Sequence, residues 1–165
     1  MTAVGSSSTA RSAVAASTVA MNAICASSMA TAKYAVGCAG LDPAGYADMT
    51  AVAASSTAMT AVAASQTALN ALAASTTALD ALYAKKKRMS GGGKNLSGKF
   101  IILEISSNNS FDTSQYGYAT LSDGTKPDWK NYKAKYAYFK QYKKVATYMR
   151  NDTESDDWID YFQIA

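Results

Sequence analysis

The 165-residue chain has no histidine, two cysteines and two prolines. The missing histidine excludes imidazole acid–base catalysis and the usual histidine-bearing zinc sites. Cys25 and Cys38 match neither a metal-ligand spacing nor a disulfide framework. Residues 1–84 lack tryptophan and phenylalanine and carry only Tyr34, Tyr46 and Tyr83 as aromatics. With few side chains larger than alanine, one copy of this half is expected to bury little apolar area and to need neighbours of its own kind. Long apolar runs are also missing, because Ser and Thr interrupt each one. No signal-peptide block and no membrane insertion are therefore expected, and synthesis in a cytoplasm is the simplest reading.

The net charge of +4 is unevenly placed. Residues 1–84 sum to −1 and residues 100–165 to −1, while residues 85–99 (Lys85, Lys86, Lys87, Arg88, Lys94, Lys99) contribute +6. Two near-neutral parts with a basic joint make a weak case for nucleic-acid binding. Lys85–Arg88 reads as a helix end, where cations suit the free carbonyls, followed by a glycine hinge at Gly91–Gly93.

What the first half does have is a ten-residue repeat. Met49, Met59, Leu69 and Leu79 hold one position of it, and Val52, Val62, Leu72 and Leu82 another. Ser55, Ser65 and Ser75 recur at the same spacing, as do Thr57, Thr67 and Thr77. A degraded copy runs through residues 1–36, with Val4, Val14, Ile24 and Tyr34 ten apart. Alanine-rich and free of glycine and proline, residues 49–82 read as one helix about 50 Å long, with a second over 1–36. Gly37, Gly40, Pro43 and Gly45 break the two, and Asp48 or Thr50 can cap the restart. The period conflicts with a straight helix: ten residues leave the apolar position about 80° out of register each time. An overwound, closely packed multi-chain shaft accommodates this, with Met49, Val52, Met59, Val62, Leu69, Leu72, Leu79 and Leu82 as its seam; a loose alanine-rich helix is the alternative.

After the basic joint the pattern becomes β. Lys99–Ser106 reads as a buried strand, followed by strands near Tyr116–Leu121, Tyr132–Tyr138, Lys143–Met149 and Trp158–Ile164. These suggest a small sandwich or jelly-roll-like domain. The expected organisation is a degenerate-repeat attachment region over 1–36, a break over 37–48 and a shaft over 49–84. A hinge over 85–98 and a β knob over 99–165 follow, an α+β chain as a whole.

Trp129, Tyr132, Tyr136, Tyr138 and Trp158 are the candidate ligand-binding residues, since aromatic faces with polar tips suit carbohydrate, although a small β domain also needs such residues for its core. The acidic run Asp152, Glu154, Asp156 and Asp157 offers oxygen ligands of the kind calcium prefers but lacks a calcium-loop signature, and reads as a solvated turn. No metal and no cofactor are expected. No carboxylate pair stands out for glycoside hydrolysis, and the chain reads as a non-enzyme.

The decads AVAASSTAMT, AVAASQTALN and ALAASTTALD resemble the Ala/Ser/Thr repeats of tailed-bacteriophage fibre proteins. The resemblance covers residues 1–84, strongly over 49–82, and does not extend to 94–165. It implies a shaft of identical chains, usually three, that precedes a β tip, located in the virion. Other virion proteins would be held through the N-terminal region, and the knob would meet a host-surface glycan. A decoration fibre without receptor binding and a tip hydrolase acting on polysaccharide are the alternatives.

Overall fold

The computed structural model describes residues 1–91, 93–106, 117–129, 132–152 and 158–164. The chain divides into two compact units, Met1–Ala84 and Lys85–Ala165. Helices and an antiparallel sheet are both present, an α+β composition.

The first unit is a chain of short helices rather than two long ones. They are α1 (Thr2–Ser6), α2 (Ser8–Ala15), α3 (Thr18–Cys25), α4 (Ser28–Cys38), α5 (Met49–Ala54), α6 (Ser56–Ala64), α7 (Gln66–Ala74) and α8 (Thr76–Tyr83). The reason is the serine that recurs every ten residues. Ser55, Ser65 and Ser75 all sit in extended backbone, with φ near −104° and ψ near 109°. The N–H of each donates to the carbonyl three residues back, at 3.0–3.2 Å, and closes one helix. The Oγ of each accepts from the N–H three residues on, at 3.1–3.3 Å, and opens the next. Ser7, Ser17 and Ser27 do the same in the degraded tract, and Asp48 Oδ1 does so for α5 at 2.9 Å. Serine is a strong N-cap because its oxygen satisfies an N–H that has no intrahelical partner.

Each break also cancels the 80° drift. Every helix of the 49–82 tract buries the same face: Ala58, Met59 and Val62, then Ala68, Leu69 and Leu72, then Ala78, Leu79 and Leu82. Met49, Val52, Met59, Val62, Leu69, Leu72, Leu79 and Leu82 are all at most 3% exposed within a single chain. The expectation that one copy has too little to bury is thus corrected. The most extensive packing between helices joins α4 with α7, α1 with α4 and α5 with α8, each pair three apart in order. Alanine on the inner faces permits this close approach.

Helix α4 is the most buried, with Ala30, Thr31, Ala32, Tyr34, Ala35, Val36 and Gly37 all inside. It runs through Gly37 instead of stopping there, because α1 crosses at that point. A Cβ on Gly37 would lie 2.0 Å from the Gly5 carbonyl oxygen. The helix ends one residue later, at Cys38: Leu41 N–H reaches back to Val36 O at 2.9 Å around Gly40, at φ +79°, a standard left-handed stop. A 3-10 turn over Pro43–Gly45 follows, held by the Lys33 ammonium, which donates to the carbonyls of Pro43 (2.9 Å) and Tyr46 (3.1 Å).

The second unit contains β1 (Lys87–Ser90), β2 (Lys94–Ser106), β3 (Tyr118–Leu121), α9 (Ala137–Tyr142), β4 (Ala146–Asn151) and β5 (Trp158–Gln163). The described strands form one antiparallel sheet in the order β1-β5-β2-β4-β3, not a sandwich of two. Two of its strands lie in what reads as a hinge, since β1 and the start of β2 fall within residues 85–98. The long strand β2 bends where its register with β4 shifts, between Ser97 and Phe100. Gly98 at φ +151° makes the bend, in backbone that side chains disfavour. Its first part pairs with β4, its second part with β5, and Phe100 at the junction pairs with both. Phe100, Ile102, Ile105, Ala119, Leu121, Trp129, Tyr138, Met149, Ile159 and Tyr161 share one core.

The expected strand over Tyr132–Tyr138 is also corrected. Tyr136 sits at φ +66° and its N–H donates to Leu103 O, after which the chain is helical. Tyr138, Phe139 and Tyr142 form the inward i, i+1, i+4 face of α9, which packs on β2. Glu154, Asp156 and Asp157 of the acidic run, Tyr116 and the glycine Gly92 lie outside the described residues.

The Gly5–Gly37 crossing yields a stability prediction. Gly37→Ala should destabilise the first unit by more than the ~1 kcal/mol that alanine normally gains over glycine within a helix, with the sign reversed. Urea unfolding followed by circular dichroism checks this.

Candidate functional site

The five aromatic candidates separate into two environments. Trp129 is fully buried, and its Nε1–H donates to Arg150 O at 3.0 Å. A Cβ on Gly117 would meet that same carbonyl at 1.7 Å and the indole Nε1 at 2.2 Å, so a glycine is needed there for the tryptophan to seat. Tyr138 stacks against Trp129 with ring centroids 5.2 Å apart and donates its hydroxyl to Pro127 O at 3.2 Å. Tyr132 closes the group edge-on to Tyr138 at 5.2 Å, and its hydroxyl lies 2.7 Å from that of Tyr142. Tyr136 is buried on α9's approach. These four rings therefore belong to, or pack against, the interior, where aromatic pairs add to the burial of area.

Burial raises the pKa of Tyr138 and Tyr142. Tyr142 is pushed up to about 12, first by desolvation and then by its hydrogen bond with Tyr132. Tyr138 is raised further in the same direction, chiefly by burial.

Trp158, the fifth candidate, is half-buried at the start of β5. The guanidinium carbon of Arg88 lies 3.6 Å from its ring centroid, a close cation–π stack. Arg88 also donates from Nε and Nη2 to the two carboxylate oxygens of Asp160, at 2.7 and 2.9 Å, and Lys86 donates to the same carboxylate. Asp160 has no exposed side-chain surface, whereas that of Arg88 is 45% exposed. Burial by itself pushes the Asp160 carboxyl upward; the hydrogen bonds and charges of Arg88 and Lys86 outweigh it and hold the group below the ordinary carboxylate value. Lys87 Nζ donates to Gln163 Oε1 at 2.6 Å. The basic run thus fastens edge strand β1 to β5, with the register Arg88↔Asp160 and Ser90↔Trp158. Sequence reasoning assigns these cations to a helix end and has no signal for Asp160, because their partner lies more than seventy residues away.

Beside this edge is a cavity of about 450 Å³ lined by Arg88, Met89, Ser90, Gly93, Lys94, Asn95, Leu96 and Tyr161. Among the described residues its charged lining is cationic, and Met89 and Tyr161 belong to the core. In the first unit, Ser8, Arg11, Ser12, Ala15, Tyr34, Cys38 and Thr67 surround a smaller one of about 290 Å³. Tyr34 is raised to about 12 there, mainly by burial, and donates its hydroxyl to Arg11 O at 3.3 Å. Among the described residues no group of three or more potential ligands is placed to hold a metal ion, and no helix is long and apolar enough to cross a membrane.

No family model, no curated protein and no solved structure matches this chain.

Because the Asp160 pKa is lowered on folding, its contribution is complete above the unfolded carboxylate value near 4 and is lost as pH falls through the lower folded value. The second unit should therefore lose stability on acidification below about pH 4, a loss absent from Asp160→Asn. That variant should itself be less stable at neutral pH by about 3–5 kcal/mol, the usual cost of breaking a buried pair from one side. Thermal melts from pH 2 to 7 check both outcomes.

Proposed function

We propose that the chain is a structural, non-enzymatic subunit of a virion fibre, a homotrimer that presents its C-terminal β unit to a glycan on the host surface. The observation that carries this reading is the nature of the repeat. What recurs every ten residues is a capped helix with an inward apolar face, while the outward positions vary among Ser, Gln, Thr, Asn and Asp. A repeat that conserves packing and leaves its outer chemistry free supports a role in building length and spacing rather than in turnover.

The seam of such an assembly is not the Met/Val/Leu series of residues 49–82, which each chain buries for itself. Among the described residues the exposed large apolar groups lie in the degraded tract: Val19 at 81%, Met29 at 50% and Met1 at 40%. In this reading they meet other copies or other virion proteins. Several copies of a weak site then act together, and effective concentration multiplies the affinity of each.

Light scattering on the eluting protein should give three times the 17.3 kDa chain mass. Val19→Ser with Met29→Ser should shift the population toward single chains without changing the helical signal. A single-chain mass for the native protein at micromolar concentration contradicts the proposal.

A further inference from the structure

The cavity between β1 and the bent first part of β2 has a composition that the sequence-derived aromatic candidates do not suggest. Met89 and Leu96 supply apolar surface, Ser90, Asn95 and Tyr161 supply hydroxyl and amide groups, and Arg88 and Lys94 supply positive charge. Among the described residues no acidic one lines it. The two cations have different duties. Arg88 is fixed by Asp160 and Trp158. Lys94 is exposed, and among the described residues it makes no ion pair. It alternates along β2 with Leu96, which packs on the core, so both belong to the face that carries Met89 and Tyr161.

We propose that this cavity binds a carboxylate-bearing sugar unit, a uronate of an acidic surface polysaccharide, with Lys94 as the carboxylate partner. The proposal deepens the glycan-attachment reading and rests on it. A sugar acid matches all three kinds of lining. Its carboxylate meets the Lys94 ammonium, a ring hydroxyl meets the Tyr161 hydroxyl, and its C–H face lies on Met89 and Leu96. A phosphate group would use the cation and leave the apolar floor unexplained. The volume falls within the ~300–1,000 Å³ range of small-molecule sites. The rigid support is the Arg88–Asp160–Trp158 cluster, which holds β1 in register and so fixes one wall.

Calorimetric titration of the full chain with trigalacturonate at low salt tests the assignment. Binding is expected, weakening as salt is raised, and the fully methyl-esterified trisaccharide is expected to bind at least fivefold less well. Lys94→Gln should cost at least fivefold in affinity with an unchanged melting temperature. Lys126→Gln, an exposed lysine outside the cavity, should cost less than twofold. Equal binding of acid and ester overturns the proposal, as do no binding of the acid, tighter binding of galactose 1-phosphate, or equal losses in the two lysine variants. Failure here is separable from failure of the fibre reading. A trimer that adheres to host cells but ignores the uronate removes only this site, and a single-chain protein that binds it removes only the fibre.

Discussion

One serine oxygen per ten residues is the constraint on which the first unit depends. An α-helix turns about 100° per residue, so a ten-residue apolar repeat on a continuous helix spirals around it. A residue in extended backbone after every helix resets the phase. The break would leave N–H and carbonyl groups unpaired, a cost that serine offsets with three bonds: its N–H closes the old helix, its carbonyl accepts the first bond of the new one, and its Oγ caps that helix's N-terminus. Residues without a side-chain acceptor at the break would give up the cap, and a glycine would lower the barrier to other conformations. With the phase reset, Met59 and Val62, Leu69 and Leu72, and Leu79 and Leu82 point inward in turn, and helices three apart meet. Ser75 goes further. It donates to Cys25 O at 2.6 Å and accepts from Thr31 Oγ1 at 3.1 Å, and so ties the two repeat tracts together in the interior.

The second unit depends on a different device. Gly98 bends β2, which lets one strand serve β4 at its start and β5 further on, with Phe100 paired to both. The edge strand β1 then needs an anchor, and Asp160 provides it from inside the sheet. Two cations on one buried carboxylate leave the cluster with a surplus of positive charge. Lys94 adds to that surplus a few residues on, beside the cavity proposed for an anionic sugar. Fold and candidate site are in this way coupled: the ion cluster positions the wall of the cavity that it also makes electropositive.

Much of this was legible in the residues, and the failures have physical reasons. The repeat, its helical character, the break near Pro43, the Asp48 cap, and the strands at Ile101–Ile105 and Trp158–Gln163 follow from composition and periodicity. The serines were visible as a period but not as breaks, because serine inside a helix and serine at its cap look alike in sequence; only the 80° mismatch hinted at the difference. Tyr132–Tyr138 alternates as a strand would, yet Tyr136 takes up left-handed backbone to bond Leu103, and Tyr138, Phe139 and Tyr142 satisfy the core at helical spacing. Trp129, Tyr136 and Tyr138 are candidates for a ligand surface that read better as core or interface residues, and they belong to the interior. Arg88 was assigned to a helix end because no local pattern reveals that Asp160, at the far end of the unit, is its partner.

The central claim is that the repeating serines are helix boundaries and not interior helix residues, and substitution by alanine separates the two cases by sign. The measurement is the thermal unfolding of Ser55→Ala/Ser65→Ala/Ser75→Ala against the parent, followed by far-ultraviolet circular dichroism. Lost caps should destabilise the unit by about 1 kcal/mol each, with a further loss at Ser75 from its buried bonds, so the melting temperature should fall by several degrees. In continuous helices alanine would replace a poorer helix former and gain up to about 0.5 kcal/mol per site; a rise in melting temperature with increased helical signal would contradict the account.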